Sequence, residues 1–208
     1  MKVAVLGGTG KMGRKLAKQL AKENQVIIGS RDKAKAEAAA REIAGASGDD
    51  YTGAARAADV VVVSVPYLAI ESLVSLADEL AGKLVISMVN PAKMEGGVLS
   101  FGKEKGSAAE EIAKMLPKSR VATAFNNVPQ SMMGADEVQP MDILVAADSR
   151  ETFDEAAALV RTIPNLRPLY AGPLSQAEMV ERITILLVNL ARLNGTKPLW
   201  PLFAAKKD

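Results

Sequence analysis

The 208-residue chain contains neither cysteine nor histidine. The absence of cysteine excludes disulfides, thiolate zinc sites, iron–sulfur clusters and cysteine nucleophiles. The absence of histidine excludes a Ser-His-Asp triad, histidine-ligated metals and an imidazole proton relay. We therefore expect no metal site, and any chemistry must use a bound cofactor or the carboxylate, hydroxyl and amine groups of the chain.

Long apolar runs and a strong charge of either sign are also missing. The longest nearly apolar stretch, Ile183–Leu193, is interrupted by Asn189 and Arg192, and it is shorter than the roughly 20 residues needed to span a bilayer. A net charge of +2 predicts no general affinity for nucleic acid. The opening Met-Lys followed by Val3–Leu6 predicts a strand rather than a secretion signal, and we expect a cytoplasmic protein without membrane contact.

Short β-branched runs alternate with stretches rich in Ala, Lys and Glu. The predicted strands are Val3–Leu6, Gln25–Gly29, Asp59–Val65, Lys83–Val89, Arg120–Phe125, Asp142–Ala146 and Leu166–Tyr170. The predicted helices are Lys11–Glu23, Lys33–Ala44, Leu68–Ala81, Ala108–Leu116, Arg150–Ile163 and Gln176–Asn194. This alternation predicts an α/β fold of the Rossmann type, with a doubly wound, mostly parallel sheet and a small C-terminal helical extension. We expect a dinucleotide-binding domain over residues 1–172 and a helical segment over 173–208 packed on it.

Two further local features are predicted. Pro91–Gly106 is expected to form one long irregular connection, of a length that is often functional. Capping boxes are expected where Ser107 precedes Glu110 and where Ser175 precedes Glu178.

A glycine motif follows the first predicted strand and opens the first predicted helix. It reads Gly8-Thr9-Gly10-Lys11-Met12-Gly13, and Gly7 before it is interpreted as an extension of the turn. Such glycines permit a tight turn, close approach of the backbone to a pyrophosphate and close packing of helix on strand. The position of the motif favours dinucleotide binding over a plain tight turn.

The end of the second predicted strand indicates which dinucleotide binds. An NAD site places Asp or Glu there to hold the ribose 2′-hydroxyl, whereas this chain has Ser30 and Arg31, with Lys35 one turn later. A hydroxyl and a guanidinium are suited to a 2′-phosphate. We expect Asp32 to point to solvent, and NADP is preferred to NAD. The alternative is a basic helix start exposed to water.

Small and amide side chains follow three later strands. They lie in Ser64-Val65-Pro66-Tyr67, Val89-Asn90-Pro91 and Asn126-Asn127-Val128-Pro129. Ligands of open α/β sheets bind just beyond such strand ends, and these residues suit a nicotinamide and a second flat ring. Alternatively, each proline only ends its strand. Asp136 and Glu137 are a less favoured candidate carboxylate site.

The first and last helices carry two further patterns. Lys11, Lys15, Lys18 and Lys22, with Arg14, are expected to form a solvated face, with contact to an anionic ligand tail or RNA as the minority alternative. Ile183–Leu193 is apolar almost all round, which favours a homodimer surface over burial within the domain.

These motifs together resemble the archaeal and bacterial F420H2:NADP oxidoreductases, which reduce NADP with an 8-hydroxy-5-deazaflavin. The resemblance spans nearly the whole chain. It rests on Val5-Leu6-Gly7-Gly8-Thr9-Gly10, Gly29-Ser30-Arg31, Val65-Pro66, Ala124-Phe125-Asn126, Leu166-Arg167-Pro168-Leu169, Ala171-Gly172-Pro173-Leu174-Ser175 and Arg192-Leu193-Asn194-Gly195. It implies a Rossmann domain with a small C-terminal helical part and a homodimer.

The resemblance also implies roles for individual residues. It places NADP at Thr9, Gly10, Lys11 and Met12, its 2′-phosphate with Ser30, Arg31 and Lys35, and the nicotinamide near Val65 and Pro66. Coenzyme F420 would then stack over the nicotinamide, lined by Asn126, Val128 and Thr184.

Two departures from the family affect the deazaflavin side. Members of the family carry a histidine where this chain has Asn126, and the tail Thr196–Asp208 differs from their usual ending. Two alternatives therefore stay open: an NADPH-dependent reductase of a flavin or ferric acceptor, and an NADP-binding sensor without turnover.

Overall fold

The fold is taken from a computed structural model that describes residues 1–133 and 138–204. The described residues form ten strands: β1 (Lys2–Leu6), β2 (Gln25–Ser30), β3 (Ala46–Asp50), β4 (Val60–Val63), β5 (Leu84–Ser87), β6 (Ala92–Glu95), β7 (Val98–Phe101), β8 (Arg120–Thr123), β9 (Met141–Ala146) and β10 (Leu166–Gly172). Their helices are α1 (Lys11–Leu20), α2 (Lys33–Ala40), α3 (Tyr51–Ala57), α4 (Ala77–Leu80), α5 (Ala108–Met115), α6 (Gln130–Met133), α7 (Arg150–Arg161) and α8 (Ala177–Leu193).

The central sheet contains six parallel strands in the order β3-β2-β1-β4-β5-β8. β4 consists of four valines that are all buried, because helices cover both faces of the sheet. The parallel pair β9–β10 joins β8 through an antiparallel bridge between Ala122 and Ala147. The expected Rossmann-type α/β fold is therefore confirmed.

Two hydrophobic clusters lie on opposite faces of the sheet. One gathers side chains of α1, α2 and α7, including Leu16, Ala36 and Phe153. The other gathers side chains of α3, α5 and α8, including Ala54 and Ile112. Because β1 lies in the middle of the sheet, its carboxyl end opens between these layers.

The strand β3 and the helix α3 were not predicted. The sequence of β3, Ala-Ser-Gly-Asp-Asp, lacks the apolar alternation that marks a strand. It is held by pairing with β2 and by the close approach of α2. A Cβ built on Gly48 would lie 2.3 Å from the backbone carbon of Ala36, so only glycine permits this packing.

The connection Pro91–Gly106 was expected to be irregular throughout. It contains instead the antiparallel hairpin β6–β7. Its turn is made by Gly96 and Gly97, with φ angles of 54° and 83°. Two adjacent left-handed residues are typical of hairpin turns, so the pair of glycines was the signal for this element. The hairpin contacts α8 through Asn189, whose side chain exchanges two hydrogen bonds with the backbone of Leu99.

Two predictions about helices need correction. The predicted helix Leu68–Ala81 is a 3₁₀ helix over Tyr67–Leu76 followed by α4. The Ser107 capping box is confirmed, but the Ser175 box is not formed. A 3₁₀ turn occupies Leu174–Gln176, and the Glu178 carboxylate instead accepts a hydrogen bond from the Gly106 amide at 2.8 Å.

Helix α8 is attached to the sheet domain by a buried carboxylate. Glu181 is fully buried and accepts hydrogen bonds from the amides of Ala108 and Ala109, at 2.9 and 3.1 Å. The inner face of α8 is buried against the domain, whereas its outer face exposes large apolar side chains. In the described ranges, no helix is long and apolar enough to cross a bilayer. The domain boundary at residue 172 stays a prediction.

Candidate dinucleotide and acceptor sites

The turn between β1 and α1 leaves no space for a side chain at Gly7, Gly8 or Gly13. Gly7 has a φ of 84°, and a Cβ there would lie 2.6 Å from the carbonyl oxygen of Ser64. A Cβ on Gly13 would lie 2.5 Å from the carbonyl oxygen of Gly7. Gly7 therefore does more than extend the turn, since it allows β1 to pass close to the end of β4.

Helix α1 begins without a side-chain cap. Gly10 is its N-cap residue and makes no side-chain hydrogen bond, although its own amide donates to the carbonyl of Gly7 at 2.9 Å. The first amides of a helix have no partner within the helix and carry a partial positive charge. Uncapped amides at the carboxyl edge of a parallel sheet form a site suited to a phosphate.

A groove of about 750 Å³ runs past this helix start and along the ends of β2, β4 and β5. It brings together most of the side chains predicted to bind a dinucleotide: Thr9, Gly10, Lys11, Met12, Gly13, Ser30, Arg31, Lys35, Ser64, Val65, Pro66 and Asn90. Gly8 and Pro91 are not among the lining residues. Gly8 lies against Val5 and Ile28, and the buried Pro91 accepts a hydrogen bond from the Gly102 amide.

At one end of the groove, a cation and a hydroxyl lie together. Arg31 is exposed and makes no ion pair with a carboxylate of the described residues. Asp32 does not simply point to solvent: it caps α2 by accepting a hydrogen bond from the Lys35 amide at 3.3 Å. Ser30 is buried, and its hydroxyl accepts a hydrogen bond from the Asp32 amide. The arginine is therefore available to an anionic ligand.

Two tyrosines also line the groove, and Tyr51 was not predicted. Tyr51 begins α3 and is half-buried, and burial raises the pKa of its phenol while the nearby Arg31 lowers it. Tyr67 follows Pro66, and its hydroxyl lies 3.3 Å from both Lys103 and Glu111. Tyr67 belongs to one of the predicted strand-end segments, whereas Tyr51 follows the unpredicted β3.

A second, mostly apolar cavity of about 530 Å³ lies between α8, the loop after β8 and the chain that follows α8. It contains two of the residues predicted to contact an acceptor ring, Val128 and Thr184. Its other described lining residues are Asn127, Pro129, Gln130, Leu187, Val188, Ala191, Arg192, Gly195, Thr196, Pro198 and Leu199. None of these residues also lines the groove.

Asn126 lies between the groove and the cavity and lines neither of them. Its side chain is buried, and its amide nitrogen donates to the carbonyl of Val89 at 3.1 Å. Asn90 in turn donates to the Asn126 carbonyl at 3.0 Å. The bend that places Asn126 is made at Phe125, which has a φ of 65°, an unusual conformation for a bulky residue. The Asn126 side chain therefore bonds to residues of the groove, and the chain continues directly into Asn127 of the apolar cavity.

The basic row on α1 is largely a surface feature. Lys11, Lys18 and Lys22 are exposed, and Arg14 pairs with Glu42 at 2.9 Å. Lys15 differs, because its ammonium donates to the carbonyl of Gln130 at 3.1 Å, beside the apolar cavity.

The remaining carboxylate candidates do not form a described site. The predicted pair Asp136 and Glu137 lies outside the described residues. Burial raises the pKa of Glu181 from 4.5 to about 7, against the opposing effect of the hydrogen bonds that it accepts from two backbone amides. It faces α5 and lines neither the groove nor the apolar cavity.

Comparison with known proteins decides the relationship. The family model described as NADP oxidoreductase coenzyme F420-dependent matches residues 2–91. The F420-dependent NADP reductase of Methanothermobacter thermautotrophicus is 41% identical over 91% of this chain and 89% of that protein. The chain belongs to the family of F420-dependent NADP reductases. The enzyme of that name from Methanocaldococcus jannaschii is 36% identical over 91% of this chain and 92% of its own length.

A solved structure agrees with the fold. The crystal structure of a protein described as a putative F420-dependent NADP-reductase from Arthrobacter sp. FB24 superposes with a TM-score of 0.87 at 23% identity, covering 99% of this chain and all of that one. The family model ends at Pro91 and so covers the elements of the groove, whereas the residues of the apolar cavity follow it.

Proposed function

We propose that this chain is an oxidoreductase that transfers a hydride between NADP(H) and the deazaflavin coenzyme F420. The observation that carries the proposal is the 41% identity to an F420-dependent NADP reductase over nearly the full length of both chains. The separate groove and apolar cavity support it, because the reaction requires two bound partners.

The groove fits the phosphate groups of NADP. The uncapped amides at the start of α1 are available to the pyrophosphate, close to Thr9 and Lys11. Arg31, Ser30 and Lys35 surround the position expected for the 2′-phosphate, and the guanidinium has no competing ion pair among the described residues. Val65 and Pro66 line the groove just after β4, where we place the nicotinamide.

The apolar cavity fits a flat ring system. We place the deazaflavin against Val128 and Thr184, with Asn126 as the link between the two sites. The two bound rings supply the chemistry, since a hydride passes directly between their carbon atoms without protein acid–base groups. The chain then has to hold the rings together and exclude water, which agrees with the lack of histidine.

Anaerobic turnover tests this proposal. NADPH and oxidised F420 are mixed with the protein, and loss of the deazaflavin absorbance is followed, with NADH and with FMN or ferric iron in parallel. Reduction of F420 that depends on NADPH supports the proposal. Reduction of FMN or ferric iron alone would favour the alternative reductase, and tight NADPH binding without any turnover would favour the sensor.

We also propose a cytoplasmic homodimer formed through α8. One stripe of this helix exposes Met179, Leu186, Leu190 and Leu193, at 59%, 56%, 41% and 67% of their surface. Successive members of this stripe are seven, four and three positions apart, which is the pattern of helix-to-helix packing. An exposed apolar stripe on a charged chain is best covered by the same stripe of a second copy around a two-fold axis.

A further inference from the structure

The chain that follows α8 returns across the molecule to the edge of β9. The indole of Trp200 donates to the carbonyl of Pro140 at 3.0 Å, and the carbonyl of Pro201 accepts from the Asp142 amide at 2.9 Å. We call Pro198–Phe203 the C-terminal strap. Its residues Pro198 and Leu199 form one wall of the apolar cavity.

The far end of the strap is held by a buried carboxylate. Asp142 is fully buried, and both of its oxygens bind the guanidinium of Arg167, with 2.8 Å between Oδ2 and Nη2. The Phe203 amide also donates to Oδ2, and Arg167 donates to the Phe203 carbonyl at 2.6 Å. We call this arrangement of Asp142, Arg167 and Phe203 the latch. The pairing with Arg167 lowers the pKa of Asp142, so the carboxylate is charged at neutral pH.

The same residue also supports the opposite wall of the cavity. The side-chain amide of Asn127 donates to the Asp142 carbonyl at 2.8 Å. Asn127 and Val128 belong to the loop that lines the cavity across from the strap. Asp142 therefore contacts both walls of the cavity. Its carbonyl accepts a hydrogen bond from Asn127 of the loop, and its amide and carboxylate bind the strap.

Hydrophobic burial alone does not fix the strap. Trp200 is partly buried against the core and Pro201 is buried, but Leu199, Leu202 and Phe203 expose 39%, 60% and 49% of their surface. Charge-assisted hydrogen bonds are stronger than neutral ones, and the latch supplies them at the end of the strap. Without the carboxylate charge, the strap loses its charged bond to Asp142, and Arg167 loses the partner that holds it beside the Phe203 carbonyl.

We propose that Asp142 is a positioning residue for the acceptor site, since its latch holds the strap so that Leu199 closes the apolar cavity over the bound ring. The inference rests on the proposed function, in that it takes the cavity as the deazaflavin site. It assigns the chain beyond α8 a part in acceptor binding and none in NADP binding, because no strap residue lines the groove.

The test compares three variants of the full-length chain. Asp142→Asn keeps the size of the side chain and removes its charge, and Leu199→Ala shortens the strap residue without touching the latch. Glu155→Gln is the matched control, because it removes the carboxylate of another pairing with arginine, Arg120–Glu155, away from the cavity. We expect Asp142→Asn and Leu199→Ala each to raise the KM for F420 by about tenfold, as expected for loss of a charged hydrogen bond or of an apolar wall contact. The KM for NADPH should stay unchanged in all three.

A second readout does not depend on the reaction. Trp200, the only tryptophan of the chain, lies in the strap, so its fluorescence reports the strap directly. We expect Asp142→Asn to increase acrylamide quenching of Trp200 while the far-ultraviolet circular dichroism is retained, and Glu155→Gln to leave quenching unchanged.

The inference is overturned if a folded Asp142→Asn chain keeps wild-type quenching and the wild-type KM for F420, or if both KM values rise together. Should Asp142→Asn fail to fold, an unchanged KM for F420 in Leu199→Ala overturns it equally. Failure of the proposed function is seen separately, since the wild-type chain would then not reduce F420, while the quenching experiment would still test the latch.

Discussion

Arg31 and Asp32 are neighbours of opposite charge with different tasks. The Asp32 carboxylate is engaged in capping α2, so it does not neutralise the guanidinium beside it. This division explains how a chain with an acidic residue near the end of β2 still suits NADP: the residue that would hold a ribose hydroxyl is turned to a helix start.

The Arg31→Ala variant tests this division. Loss of a charged hydrogen bond costs about 1.5–3 kcal/mol, so the Kd for NADPH should rise by about tenfold to a hundredfold, and the Kd for NADH by much less. Lys33→Ala is the control, because Lys33 pairs with Asp49 and does not line the groove. Titration of each variant by fluorescence gives the values. Equal loss of NADPH and NADH affinity would contradict the assignment.

Thr184 should affect only the acceptor side. Its hydroxyl donates to the carbonyl of Val180 at 3.3 Å, and the side chain lines the apolar cavity. Thr184→Val keeps the shape and removes the hydroxyl. We expect a changed kcat/KM for F420 with an unchanged Kd for NADPH, and recovery of kcat/KM in Thr184→Ser. A loss of NADPH affinity in Thr184→Val would contradict the assignment of Thr184 to the acceptor site alone.

At the scale of elements, the buried Glu181 links α8 to α5 in a pH-dependent way. Lys103 lowers and Glu110 raises its pKa, but burial dominates and gives a value of about 7. Because the folded pKa exceeds the unfolded one, the folded state binds more protons. The stabilising contribution is complete below pH 4.5 and is lost as the pH rises to about 7. The resulting change in the free energy of unfolding is about 3 kcal/mol.

Chemical denaturation of the wild type and of Glu181→Gln between pH 4.5 and 8 measures this contribution. We expect the free energy of unfolding of the wild type to fall over this range and that of Glu181→Gln to stay nearly constant. Glu178→Gln serves as the control, since pairing with Arg182 lowers the Glu178 pKa and its contribution is lost at lower pH. If the free energy of unfolding of Glu181→Gln fell with pH as steeply as that of the wild type, another group would be responsible for the pH dependence.

The elements differ in how far the sequence determines them. β1, β2 and β4 are apolar runs bounded by turn residues, and the sequence analysis located them to within two residues. The strand β3 could not be found in this way, because its Ser, Gly and Asp residues are held by β2 and α2 rather than by their own burial.

The two candidate sites also differ. The groove follows a local motif and the ends of parallel strands, so most of its residues were predictable. The apolar cavity depends on the strap returning to Asp142 over a separation of more than 50 residues, which no local pattern records. The position of Asn126 outside the cavity was likewise not predictable, because its hydrogen bond to Val89 joins residues that are distant in sequence.

At the scale of the whole molecule, the exposed stripe of α8 predicts association. Leu190→Glu places a charge in the middle of the proposed dimer interface without affecting a buried residue. Analytical ultracentrifugation should show a dimer for the wild type and a monomer for this variant. Val74→Glu is the control, because Val74 is similarly exposed on another surface. A wild-type monomer at micromolar concentration would contradict the homodimer.

On the proposed function, the chain brings two rings together for direct hydride transfer and takes no part in proton transfer to carbon. The most direct measurement uses NADPH deuterated at both C4 positions, with oxidised F420 in ordinary water and without oxygen, followed by mass spectrometry of the reduced deazaflavin. Direct hydride transfer should leave one deuterium on the ring carbon of the deazaflavin for each turnover. Reduced deazaflavin that carries hydrogen from water, or no reduction despite bound NADPH, would contradict it.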